Sequence, residues 1–285
     1  MLWLDGALHE STRAPFDLRD RGLLLADGLF ETLLVLEGRP VHLDLHMRRL
    51  MDGAKTLGID VDLAEVESAT TALAAVRPGH AIVRVTVTRG VGERGLKPSP
   101  GGRATVFGIA SPWSPAIAFQ PLRLATSTIR RNHTSPLSRL KSLSYLDNVL
   151  ALQEALAAGA DDALILSTTG NVACTSAGNV FAVVAGELLT PPVADGVLGG
   201  TIRARLLSLA DSVGLRPREA SLRPADLARV DAVFVTNSAR LACPVTALDG
   251  HAIAAGSEWH ARVEGVIRRD IAADAGVEFP AARPA

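Results

Sequence analysis

Hydrophobic and polar positions alternate along the chain with two different periods. Ala81-Ile-Val-Arg-Val-Thr-Val-Thr88 is β-branched with period two, which predicts a strand. Leu45, Met47, Leu50, Met51, Ala54 and Leu57 recur at helical spacing and predict an amphipathic helix over 45–57. Arg48 and Arg49 are adjacent on it, so they point in different directions. Asp62 is the expected N-cap of a second helix, 63–76, with Glu65 three residues on. Asp5-Gly6, Glu37-Gly38 and Asp249-Gly250 mark tight turns, the second followed by a returning strand over 39–43. Residues 21–27 read as a loop entering a strand that ends at 36. Further strands are expected over 103–109, 117–126, 163–167, 180–184, 187–190 and 232–236. Residues 128–136 are polar and loop-like. Helices are expected over 146–158, 204–213, 224–230 and 259–273, with a loose tail. Many hairpins and few strict βαβ units argue for an α+β fold with largely antiparallel sheets in two lobes. Ser111-Pro-Trp-Ser-Pro115 is the linker candidate, giving a small N-terminal domain, 1–113, and a larger one, 114–285, that carries Lys141.

Composition narrows the function classes. The chain is 48% hydrophobic with a net charge of −1, so it has no overall basic field for nucleic acid or an anionic membrane. The two cysteines, Cys174 and Cys243, are too few for a disulfide framework and lack CxxC spacing. The first residues show no basic-then-apolar secretion pattern, and no uncharged apolar run approaches the roughly 18 residues of a spanning helix. A cytoplasmic protein without a bound metal is the expectation. Neither a Walker motif nor a GxGxxG follows a first strand, so a nucleotide ligand is not favoured.

Only three lysines occur, and one of them, Lys141, stands in the run Ser138-Arg-Leu-Lys-Ser-Leu-Ser-Tyr-Leu-Asp-Asn148 at the mouth of an apolar helical pattern. Burial there would disfavour the ammonium and leave an amine that attacks aldehydes. A solvated loop lysine is the other reading of the same residues. Three further features have the makings of an anion cradle. Gly199-Gly200-Thr201-Ile202 opens a helix, Thr236-Asn237-Ser238 ends a strand, and Arg49 can supply a charge. Each has a bland alternative as a helix cap, a turn or a solvated arginine.

Lys141-Ser-Leu-Ser-Tyr-Leu-Asp-Asn-Val-Leu-Ala resembles the Schiff-base lysine segment of class IV aminotransferases, the fold-type IV enzymes that use pyridoxal 5′-phosphate. The resemblance covers nearly the whole chain in order. It takes in Arg21-Gly-Leu-Leu-Leu-Ala-Asp-Gly-Leu-Phe-Glu-Thr, His46-Met-Arg-Arg49-Leu50, Asn179-Val-Phe181, Gly196-Val-Leu-Gly-Gly-Thr-Ile-Arg203 and Thr236-Asn-Ser with Cys243-Pro-Val. It implies a two-lobed fold like that of D-amino-acid aminotransferases, with the cofactor between the lobes, and a homodimer. It implies that Lys141 binds the cofactor and shuttles a proton, and that Arg49, Gly200, Thr201, Ile202, Asn237 and Ser238 hold the phosphate. Phe30, Arg94 and Arg240 would meet the substrate.

One position departs from the family. Where its members carry a glutamate that pairs with the pyridine nitrogen, this chain has Cys174. A thiol is a weak donor and, unless ionised, cannot keep that nitrogen protonated. Fast transamination is then in doubt, whereas an elimination driven partly by its substrate would suffer less. Cys174 as a simple buried packing residue is an equal alternative. Thr88-Arg-Gly-Val-Gly-Glu-Arg-Gly-Leu96 resembles the corresponding loop of 4-amino-4-deoxychorismate lyases, although an aromatic residue is usual where Leu96 stands. The resemblance therefore implies a lyase first. An aminotransferase with D-amino-acid or branched-chain preference is the second reading, and a cofactor-binding protein with little turnover the third.

Overall fold

The computed structural model of the chain describes residues 1–11, 13–99, 101–253 and 256–281. The last residues of the tail lie outside these. Contacts divide the chain into two units. The first is Met1–Ser114 joined by Leu140–Ser144 and Ala272–Phe279; the second is built from Pro115–Arg139 and Tyr145–Ile271. Lys141 therefore packs with the first unit.

The first unit contains, in chain order, β1 (Leu2–Leu4), β2 (Ala7–His9), α1 (Arg21–Leu25), β3 (Gly28–Leu36), β4 (Arg39–Pro40), α2 (Leu43–Leu57), α3 (Leu63–Ala75), β5 (His80–Thr88) and β6 (Thr105–Pro112). Its six strands form an antiparallel sheet in the order β2-β1-β6-β5-β3-β4. The Asp5-Gly6 turn holds both residues at positive φ, as a two-residue hairpin requires. Leu33, Val35, Val83, Val85 and Val87 share a core with Met47, Leu50 and Leu73 of the helices. Each such side chain, fully buried, contributes about 1.5–3 kcal/mol. Two expectations change here. The returning strand stops at Pro40, because His42 takes a left-handed conformation and α2 starts at Leu43. The expected loop before β3 contains the short α1, capped by Asp20, whose side chain accepts the Gly22 N–H at 2.7 Å.

The second unit contains β7 (Leu122–Arg131), α4 (Leu146–Ala157), β8 (Asp162–Ser167), β9 (Val172–Thr175), β10 (Asn179–Val184), β11 (Glu187–Thr190), α5 (Thr201–Leu209), β12 (Arg216–Glu219), β13 (Ala232–Asn237), β14 (Leu241–Leu248), β15 (His251–Ala252) and most of α6 (Ser257–Ala275). The strands run in the order β12-β11-β10-β13-β14-β7-β8-β9, with β15 beside β14. The pairs β11/β12, β14/β7 and β7/β8 are parallel and the others antiparallel. The strand expected over 117–126 is displaced. Residues 115–117 form a 3-10 turn, Phe119 sits at φ 60°, and β7 runs on through the polar residues to Arg131. Backbone pairing of Arg130 and Arg131 with Leu166 and Ser167 holds that polar stretch in the sheet whatever its side chains. The short β9 and β12 have no readable period. The helix expected over 204–213 begins at Thr201 and gives way to a 3-10 turn after Leu209, and that over 224–230 is a 3-10 turn. No helix among the described residues is long and apolar enough to cross a membrane.

Candidate active site

Alternation along β3 sorts its side chains. Leu29, Glu31 and Leu33 face the helices, and Phe30 and Thr32 face the other way. Glu31 is thus a carboxylate at a core position, and it is fully buried. It is paired from α2. Arg49 Nε and Nη2 donate to its two oxygens at 2.8 and 2.5 Å, and His46 Nδ1 lies 2.6 Å from Oε2. Burial pushes the Glu31 carboxyl up, but the Arg49 charge and the hydrogen bonds from Arg49 and His46 outweigh it and hold the pKa at about 2. Burial lowers the His46 pKa against the pull of Glu31, and since an ionised carboxylate can only accept, Nδ1–H is the donor in this pair. Arg49 Nη2 is also 3.4 Å from that nitrogen, too long to compete. Arg48 instead reaches out to Asp44 on the exposed side. Glu31 and His46 stand within the family-like blocks without being among the expected site residues, yet a carboxylate in phase with Leu29 and Leu33 is a usable signal.

The outward face of the same strands carries Lys141. The Phe30 N–H donates to the Lys141 carbonyl at 2.9 Å, Leu29 bridges to Ser142, and the Leu143 N–H donates to Gly28 at 3.0 Å. These bonds fix the lysine segment alongside β3. Lys141 is half-buried, with Nζ 4.2 Å from the centre of the Phe30 ring. Arg84, on the strand beside it, lies over the same ring at 3.7 Å. The two cations are therefore within about 8 Å of one another whichever faces they take. Arg84 sits at an ordinary outward position of β5, and nothing in its spacing marks it.

Arg94 lies in a loop that is held from beneath. Arg21 is buried, pairs with Asp27 at 2.9 Å and donates to the carbonyls of Gly95 and Leu96. Arg89 shares Asp27 at 2.7 Å and bonds the carbonyls of Leu57 and Gly58 at the end of α2. The Arg94 side chain itself is exposed.

The second unit holds the remaining candidates. No side chain caps α5, whose N-cap is Gly200, so its first N–H groups are left for another acceptor. Thr201 Oγ1 and Ser238 Oγ lie 3.0 Å apart beside it, and Thr236 Oγ1 is buried without a hydrogen-bond partner. A Cβ on Gly200 would fall 2.0 Å from Asn179 Oδ1, and Asn179 Nδ2 bonds the Leu198 carbonyl. Gly200→Ala must therefore shift the start of α5, and if α5 holds the phosphate that the resemblance implies, the substitution is expected to weaken pyridoxal phosphate binding roughly tenfold, about 1.4 kcal/mol, in an absorbance titration. Unchanged affinity would remove α5 from the cradle. Asn237 is committed locally, its Oδ1 accepting the N–H groups of Ala239 and Arg240 at 2.9 and 2.7 Å. The Arg240 side chain is exposed. Cys174 is buried on β9, opposite Ile165, and burial raises its thiol pKa, so it is neutral.

Comparison with known proteins gives the family. The family model for class IV amino-transferases matches residues 28–248. A Methanocaldococcus jannaschii protein provisionally named a branched-chain-amino-acid aminotransferase is 36% identical over 88% of this chain and 89% of its own length. A D-alanine aminotransferase from Bacillus licheniformis is 29% identical over 89% of this chain and 90% of its own. The crystal structure of 4-amino-4-deoxychorismate lyase from Pseudomonas aeruginosa superimposes with a TM-score of 0.86 at 32% identity, covering 95% of this chain and 99% of that one. The chain belongs to the class IV aminotransferase family, and it is a fold-type IV enzyme dependent on pyridoxal phosphate.

Proposed function

We propose that the protein is a lyase of the 4-amino-4-deoxychorismate type, releasing pyruvate and 4-aminobenzoate. The observation that carries this reading is the neutral, buried thiol of Cys174 where the family's carboxylate belongs. Aromatisation of the substrate ring supplies driving force that a transamination lacks, so a weaker electron sink costs the elimination less.

The chemistry of the residues suits the cofactor's phosphate. In the second unit, uncapped N–H groups at α5, the Thr201 and Ser238 hydroxyls and the orphaned Thr236 hydroxyl offer donors. In the first, Arg49 carries the charge that the resemblance assigns to a phosphate. The half-buried Lys141 fits its aldehyde. At the ring nitrogen the usual acid is missing. Bound pyridoxal phosphate supplies an aldehyde for the substrate amine and an electron-accepting ring. Lys141 Nζ removes the proton on the amine-bearing carbon and returns it to the departing three-carbon fragment. Phe30 shields that amine from water. Glu31 and His46 orient Arg49. Arg94, on its pinned loop, and Arg240 are cations for the substrate's two carboxylates.

The second reading, an aminotransferase, is favoured by the 36% identity to the archaeal relative. The holoenzyme separates the two when given enzymatically made aminodeoxychorismate, or D-alanine or L-isoleucine with 2-oxoglutarate. Formation of 4-aminobenzoate and pyruvate is expected. Glutamate without aminobenzoate would sink the lyase reading in favour of the aminotransferase. A bound cofactor with neither product points to a protein with little turnover. A homodimer in the cytoplasm completes the proposal.

A further inference from the structure

Beside Cys174 lies a cation that no carboxylate neutralises among the described residues. Arg131, the last residue of β7, pairs with Ser167 on β8, the strand whose Ile165 lies opposite Cys174, and Asn148 joins its Nη1 to the Ser176 carbonyl two residues beyond the thiol. Arg131 Nη1 donates to Asn148 Oδ1 at 3.1 Å and its Nη2 to the Ser138 carbonyl at 3.4 Å, both neutral acceptors. Its Nε is buried with no hydrogen-bond partner. The other charge acting on Cys174 is Asp162, whose Oδ1 is occupied by the backbone N–H groups of Ala163 and Ser176 at 2.7 and 3.2 Å. A guanidinium cannot shed its proton in a protein, so the Arg131 charge is permanent.

We propose that Cys174 and Arg131 together keep the pyridine nitrogen of bound pyridoxal phosphate unprotonated. The inference rests on Cys174 standing at that nitrogen. A neutral S–H can donate only to a nitrogen whose lone pair is free. An uncompensated cation nearby opposes a second positive charge on the ring. Both influences act in one direction, and the Asp162 carboxylate is engaged by backbone N–H groups. The ring is then a weaker electron acceptor than one paired with a carboxylate. Substrates whose own bonds drive the reaction, by gaining aromaticity or expelling a stable fragment, are the class such a site serves.

The test is nitrogen NMR of the holoenzyme loaded with pyridoxal phosphate labelled with 15N in the ring, followed against pH. The wild-type resonance is expected at the free-base position at neutral pH. Cys174→Glu is expected to move it to the pyridinium position. Arg131→Gln is expected to raise the pH at which the nitrogen titrates by about one unit, a tenfold gain in proton affinity. Arg131→Lys should reverse that change, which a merely structural role for Arg131 would not do. A wild-type resonance at the pyridinium position would overturn the proposal. So would a free-base resonance that ignores Cys174→Glu, since it would place Cys174 away from the nitrogen. Failure of the underlying site is read separately, as an imine absorbance that survives in Lys141→Ala.

Discussion

Lys141→Ala is expected to abolish the imine absorbance near the visible edge that pyridoxal phosphate gives with the wild-type protein, and to lower turnover by at least roughly a thousandfold. In the proposed reaction the amine is needed twice, as the group that binds the aldehyde and as the base that moves the proton, and no other lysine shares its segment. The loss is chemical rather than structural. The segment is tied to β3 through backbone bonds from Phe30 and Leu143, and these survive truncation of the side chain. Thermal unfolding of the variant should accordingly stay close to that of the wild type. Lys141→Arg should fail equally, because a guanidinium does not deprotonate. Persistence of the absorbance in either variant would move the cofactor's attachment elsewhere.

Glu31→Gln is expected to cost stability rather than chemistry alone. The carboxyl is fully buried and its pKa is held at about 2 against an ordinary 4.5. By linkage that difference corresponds to about 3 kcal/mol of stability. The sign follows from the depressed pKa. The contribution is complete above pH 4.5 and is lost as pH falls towards 2. The wild type should therefore lose stability between those values more steeply than Glu31→Gln, and the two should converge in acid. Denaturant unfolding at pH 7 and at acid pH measures this directly. Equal stability at pH 7 would show that Arg49 and His46 find other partners. Because Glu31 also orients Arg49, the variant should bind pyridoxal phosphate more weakly under conditions where it remains folded.

Much of this protein is legible in the order of its residues. Alternation in residues 81–88, the period of α2 and the Asp-Gly turns are local properties, so the strands, helices and hairpins they imply are found within a few residues. Glycines opening α5 and the lysine ahead of α4 are also local signals, and together with the ordered blocks they are enough to assign the family. Register and depth are not local. The extension of β7 to Arg131 comes from pairing with β8, a partner distant in the chain that supplies hydrogen bonds to residues of any polarity. The short β9 exists because β8 lies beside it, and it is what buries Cys174 as a neutral thiol. Only the packing of α2 on the sheet reveals that Glu31, Arg49 and His46 form one buried unit, although each stands in plain view in the chain. Only folding sets Arg84 and Lys141 against one ring and leaves the Arg131 Nε buried without an acceptor. The sequence by itself thus determined the elements and the family, through residue spacing and backbone preference. The tertiary structure decided which charges are desolvated and which groups neutralise them, because that depends on distances between residues far apart in the chain.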